Sequence, residues 1–86
     1  MKYTVVVFSS RSETMKFYKV IKNYGLFCSI INTPRILSAS CGVSTKIDNR
    51  LIQPSIMVIH KLNLRTFKGI YEIAIQNQKE VATRIY

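Results

Sequence analysis

Two side chains in this chain carry a sulfur nucleophile, Cys28 and Cys41, and their settings differ. Cys41 stands at the far end of Thr33-Pro34-Arg35-Ile36-Leu37-Ser38-Ala39-Ser40-Cys41-Gly42-Val43-Ser44, a polar segment of small residues. A thiol is the one side chain here with strong intrinsic nucleophilicity at neutral pH. A free thiol with a pKa of ~8.5 is only a few per cent thiolate there, so activation has to come from the surroundings. Arg35, loop N–H groups and the basic field of the chain are the candidates. Gly42 next to the sulfur lets backbone or a partner approach closely. The alternative is a small buried thiol at the start of a strand, with Ser38 and Ser40 as hydroxyls that satisfy a turn.

Other chemistries find less support. Metal binding needs several convergent ligands, and the chain has one histidine, His60, and two cysteines far apart in sequence. His60 falls in a helix beside Lys61 and reads as a surface residue. Glu13, Asp48, Glu72 and Glu80 show no spacing suited to paired-carboxylate catalysis. The three glycines, Gly25, Gly42 and Gly69, build neither a Walker phosphate loop nor a dinucleotide fingerprint.

The elements that must position Cys41 can be read from periodicity. Thr4 to Ser9 is β-branched and apolar on both parities, which predicts a central strand. Ser10 and Glu13 form a capping-box pair, and the helix they open runs to Tyr24 before Gly25 stops it. Its core face is Phe17, Val20, Ile21 and Tyr24, with Met15 and Tyr18 at the margins. Leu26 to Ile31 predicts a second strand with Leu26, Cys28 and Ile30 on one side, so Cys28 points inward. The connection from Asn32 to Ser40 has about nine residues, more than the 2–5 of an ordinary hairpin, and long ordered loops tend to hold function. In the third strand Val43, Thr45 and Ile47 alternate with Ser44 and Lys46, a half-exposed pattern suited to an edge or an open sheet face. A second helix is expected from Gln53 or Pro54 to near Asn63, with Ile56, Ile59 and Leu62 or Asn63 inward. Phe67 to Ile75 predicts a fourth strand with Tyr71, Ile73 and Ile75 on one face. Residues 76–86 are left open as a short helix, an added strand or a partner-binding tail.

Strand, helix, strand, strand, helix, strand is the order of an α+β, ferredoxin-like βαββαβ sandwich: a four-stranded antiparallel sheet with two helices on one face. Residues 1–75 are read as a single domain and 76–86 as a tail or extra element. The 86 residues suffice for one two-layer core, and 48% hydrophobic with 20% charged residues is ordinary globular usage. The longest apolar runs, Val5 to Phe8 and Ile56 to Ile59, are too short to cross a bilayer, and Met1 to Thr4 does not open a signal peptide. The expectation is therefore a cytoplasmic protein with reduced cysteines and no membrane association.

Thirteen Lys and Arg against four Asp and Glu give a formal charge of +9, which favours acidic partners: tRNA, other nucleic acid or an acidic protein surface. Lys16, Lys19 and Lys22 recur every three residues on the first helix, a stripe whose plain reading is a solvated face. Against RRM-type recognition on the sheet, the third strand has no aromatic residue.

Pro34-Arg35-x-Leu37-Ser38-x-Ser40-Cys41-Gly42, with Gly69-Ile70-Tyr71-Glu72-Ile73 further on, resembles the Se/S carrier-like protein family over residues 2 to 73. The resemblance implies a covalent carrier rather than a turnover enzyme. Cys41 would take sulfane sulfur or reduced selenium from a donor protein as a persulfide or selenopersulfide and pass it to an acceptor. Its transient cargo would replace any bound cofactor. Arg35 maps onto the motif arginine, and the N–H groups from Ser38 to Gly42 could form an anion nest for the terminal atom, with Ser38 and Ser40 donating. The charge of +9 departs from the acidic or neutral balance expected of the family and keeps nucleic acid in play. A small RNA-binding or protein-interaction module without thiol chemistry is the rival reading, and the oligomeric state is open.

Overall fold

A computed structural model describes residues 1–37 and 41–86. Five strands and two helices follow one another as β1 (Lys2–Phe8), α1 (Arg11–Ile21), β2 (Cys28–Asn32), β3 (Val43–Ile47), α2 (Ile52–Lys61), β4 (Phe67–Gln76) and β5 (Lys79–Arg84). The sheet order is β2-β3-β1-β4-β5 and every neighbouring pair is antiparallel. The expected α+β sandwich is present, but its sheet has five strands rather than four. The fifth comes from residues left open in sequence: Asn77 and Gln78 both adopt positive φ (50° and 65°), and this two-residue turn returns the chain so that Gln76 pairs with Lys79.

β1 lies at the centre, and Thr4 to Phe8 are all buried, as continuous apolar character on both parities requires. Val6 and Phe8 face the helices, where Phe17 and Ile21 of α1 and Val58 and Ile59 of α2 close over Ile47 and Ile70. The Phe8 and Phe17 rings meet at 5.4 Å. Full burial of each such side chain stabilises the fold by about 1.5–3 kcal/mol. The inward side of α2 is Leu51 of the preceding 3-10 turn, Ser55, Val58 and Ile59. Leu62 and Asn63, one or the other of which was expected inward, are both exposed and lie beyond the end of α2 at Lys61. Pro54 sits in the first turn, where no intrahelical N–H is needed.

Ser10 caps α1 by accepting the Glu13 N–H at 3.2 Å. The reciprocal half of the capping box does not form. The Glu13 carboxylate accepts instead from the Thr66 N–H (2.8 Å) and the Thr66 hydroxyl (2.7 Å), and the Ser9 N–H donates to the Thr66 carbonyl at 2.8 Å. These bonds lock the start of α1 to the entry of β4. After α1 a 3-10 turn, Lys22–Tyr24, ends at Gly25, whose φ of 78° is the left-handed stop the sequence predicts.

The second face of the sheet carries Val5, Val7 and Ile73, with Tyr3, Ile31, Tyr71 and Ala82 around them. It is not open. After Asn32 the chain enters a 3-10 turn, Arg35–Leu37, that lies against β5, and Leu37 packs into this apolar cluster. β3 is likewise no edge: it runs between β2 and β1, and Ser44 is fully buried rather than half exposed.

Candidate functional site

Cys41 immediately precedes β3 and is buried, with 6% of its surface exposed. Its Sγ lies 4.0 Å from the hydroxyl of Thr14, a fully buried residue in the second turn of α1. Thr14 Oγ1 also donates to the Ser10 carbonyl at 2.9 Å. A threonine hydroxyl has one proton, so with that proton on Ser10 the oxygen offers Cys41 a lone pair, and the contact is a thiol S–H donating to Thr14. The sulfur therefore sits against the N-terminal turns of α1, on the helix-covered side of the sheet.

The backbone of Cys41 is held by Thr33. The Thr33 hydroxyl donates to the Cys41 carbonyl at 3.0 Å, and the Thr33 N–H donates to the Gly42 carbonyl at 3.0 Å. With its own proton used on Cys41, Thr33 Oγ1 accepts from the buried Ser44 hydroxyl at 2.6 Å. Thr33 thus ties the outgoing end of the loop to the returning end and continues the Asn32–Val43 pairing by one step.

The other residues singled out in sequence lie as follows. Gly42 is exposed, and a Cβ built on it would meet nothing within 4 Å. Among the described residues neither crowding nor a left-handed φ requires glycine there. Arg35 is exposed on the turn seated against β5, two strands beyond β1, whereas Cys41 enters β3 on the opposite side of β1. Among the described residues, the hydroxyl of Thr14 and not the guanidinium of Arg35 reaches the sulfur. Ser38 and Ser40, read as anion-stabilising hydroxyls, lie outside the described residues.

Both cysteines are free thiols. Cys28 pairs with Ile47 at the far end of the β2–β3 ladder, while Cys41 lies beyond the Asn32–Val43 pair at the near end. Four residue steps at about 3.3 Å place the two cysteines at least ~13 Å apart, well past the ~7 Å limit for a disulfide. Burial pushes the Cys28 thiol pKa up, partly offset by the charge of Lys22.

Thr14 and Thr33 are the site residues that sequence reasoning missed. A signal for Thr14 was available, because a threonine four residues after a helix cap can bond back to the cap carbonyl and turn its other side inward. His60 is exposed at the end of α2, and its Nε2 lies 2.7 Å from the Tyr86 hydroxyl, which makes it a latch for the last residues of the chain. Among the described residues no group of three His, Cys, Asp or Glu could hold a metal ion, and no helix is long and apolar enough to cross a membrane.

Comparison with curated proteins and with solved structures finds no match. The family model described as Putative Se/S carrier protein-like matches residues 2–72, from the first residue of β1 to the middle of β4, and the chain belongs to that family.

Proposed function

We propose that this protein is a sulfur or selenium carrier that holds its cargo on Cys41. The observation that carries the reading is the family match over residues 2–72; of the two thiols in that span, Cys41 stands beside an exposed glycine. The other thiol, Cys28, is set apart at the far end of the sheet with a raised pKa.

The loading step is a thiol exchange. The Cys41 thiolate attacks the outer sulfur of a donor persulfide, the Cys41 S–S bond forms, the donor S–S bond breaks, and the donor leaves as a thiolate. The outer sulfur moves at the same oxidation level, so no external oxidant or reductant is consumed. With a selenopersulfide donor, selenium moves in the same way. The outer atom carries negative charge at neutral pH, and beside the first turns of α1 the helix dipole would stabilise it by about 0.3–1 kcal/mol. Rotation of the Thr14 hydroxyl from Ser10 toward the sulfur would add a donor. Arg35, on the turn against β5, belongs to the same proposal as a contact to the partner protein, and the hydroxyls of Ser38 and Ser40 as groups that meet the cargo. Delivery reverses the exchange onto an acceptor protein.

The test is to incubate reduced protein with a persulfide or selenopersulfide donor, read the intact mass, and map the adduct. A reductant-labile gain on Cys41 and not on Cys28, lost in Cys41→Ser, is expected. Equal loading of Cys41→Ser removes Cys41 from the role.

A further inference from the structure

The thirteen cations are not spread evenly over the surface. On α1, Arg11, Lys16, Lys19 and the following Lys22 are all exposed and lie on one side of the helix, with the half-exposed Met15 among them. At 1.5 Å per residue this row runs about 16 Å. A face that is merely solvated is normally laced with opposite charges three or four residues apart. Here Lys16, Lys19 and Lys22 are spaced as like-charge neighbours, and Arg11 stands at the N-terminal end of the helix, where the dipole opposes a cation. The one acid of α1, Glu13, is turned away to Thr66. Among the described residues the single ion pair is Arg50 with Asp48, on the 3-10 turn before α2. The helix therefore keeps a like-charged row that no ion pair joins to an acid among the described residues. Glu13 offsets Lys16 in part, Lys22 lies over the Tyr18 ring at 5.7 Å, and Lys19 and Lys22 stand at the C-terminal end that the dipole favours.

We propose that this face of α1 docks the sugar-phosphate backbone of duplex RNA. A protein partner of ordinary affinity would need an apolar centre to the patch, and Met15 with the half-buried Tyr18 ring supplies only a small one. Base readout would need Asn, Gln or Arg along the helix or stacking aromatics, whereas this row is mostly lysine, suited to phosphates. A convex rod with four cations along its length, about one per turn, fits the two phosphate rows that flank the narrow major groove of A-form RNA. On the second face of the sheet, the usual platform for single-stranded RNA, Leu37 packs against the Val5, Val7 and Ile73 cluster and covers part of it. The proposal is independent of the carrier role: it involves no thiol and holds or fails without Cys41.

The experiment is fluorescence anisotropy of a labelled RNA duplex titrated with the full chain between about 50 and 200 mM salt. With about four phosphates neutralised, log affinity should fall against log salt with a slope of about −3 to −4. Lys16→Gln/Lys19→Gln/Lys22→Gln, which keeps helix propensity, should lose at least about tenfold in affinity and flatten the slope by roughly 2–3. Lys2→Gln/Lys68→Gln/Lys79→Gln removes the same charge from exposed sheet positions and should retain most of the binding. Absence of binding at low salt, or equal loss in the two triple variants, overturns the assignment to α1. Equal affinity for B-form DNA of the same sequence overturns the choice of duplex RNA, and tighter binding to polyglutamate makes the partner an acidic protein.

Discussion

Thr14 Oγ1 lies 4.0 Å from Cys41 Sγ while its proton is given to the Ser10 carbonyl at 2.9 Å, so one buried hydroxyl joins the cap of α1 to the thiol at the start of β3. Thr14→Val keeps the volume and removes both bonds. Each lost buried hydrogen bond costs about 0.5–1.5 kcal/mol, and the Ser10 carbonyl still has its backbone bond from Thr14. The expected loss in urea unfolding is about 1–2 kcal/mol, with Thr14→Ser recovering most of it. If Thr14→Val were as stable as the parent, the hydroxyl would be making neither bond in solution.

Glu13 predicts an acid limb in the stability profile. Burial works to raise its pKa, but the bonds from the Thr66 hydroxyl and backbone, with smaller help from the Arg65 backbone and the charge of Lys16, outweigh it and leave the pKa below the ordinary 4.5. A depressed folded-state pKa contributes stability above the unfolded value and loses it as pH falls through the folded one. Stability should therefore drop as the pH goes below the ordinary carboxylate value. Glu13→Gln, which can still accept from Thr66, should be less stable than the parent at neutral pH and converge with it in acid. Parallel curves for the two proteins would show that Glu13 is not the group responsible. Asp48 pairs with the Arg50 side chain and, as the cap of the turn before α2, accepts the Arg50 N–H at 2.8 Å, and these bonds lower its pKa as well.

Gly42 and Gly69 make opposite predictions. A Cβ on Gly69 would stand 2.8 Å from Cε1 of Tyr71, a ring packed in the second apolar cluster, and φ there is +153°. Gly69→Ala should cost about 1–3 kcal/mol, and less when Tyr71 is also replaced by alanine. Gly42→Ala meets open space and should change stability by less than about 0.5 kcal/mol. A slower sulfur loading of Gly42→Ala at unchanged stability would place the approach to Cys41 over that residue. Loading at the parental rate would put the approach elsewhere.

What was legible in the sequence is what local periodicity and capping decide. The central strand, the Ser10 cap, the Gly25 stop and the order of the first six elements all follow from patterns within about ten residues. A buried thiol at a strand start was one of the two readings the sequence offered for Cys41, and the choice between them was not legible because it depends on Thr14, 27 positions away. Neighbours in sequence misled in the other direction. Arg35 stands six residues before Cys41, yet Leu37 needs an apolar site and finds it beside Val5, Val7 and Ala82, which carries the turn toward β5. β3 looked half exposed because its outward residues are serine and lysine. Ser44 is buried because Thr33, at the other end of the loop, takes its hydroxyl. β5 was hidden by its composition, since Lys79, Glu80, Thr83 and Arg84 are what an outermost strand carries to discourage further pairing.

The turn that builds β5 holds one residue against its preference. Asn77 at φ 50° is in a left-handed region that asparagine tolerates, but Gln78 at φ 65° is not, and a left-handed non-glycine residue costs roughly 1–2 kcal/mol. Gln78→Gly gives the Asn-Gly pair that such two-residue turns favour. Its greater freedom in the unfolded chain takes back about 0.5–1 kcal/mol, so the net gain should be about 0.5–1 kcal/mol. Gln78→Val should lose at least as much, because branching at Cβ worsens the same clash. The gain should appear as a higher urea midpoint at constant slope. Beyond Arg84, the Ile85 N–H donates to the Ile70 carbonyl at 2.7 Å, and Tyr86 lies against Phe67 and His60. A tighter turn should therefore also raise amide protection at Ile85. Unchanged stability in Gln78→Gly would mean that the turn does not hold this geometry in solution, and the pairing of β4 with β5 would then have to rest on those terminal contacts alone.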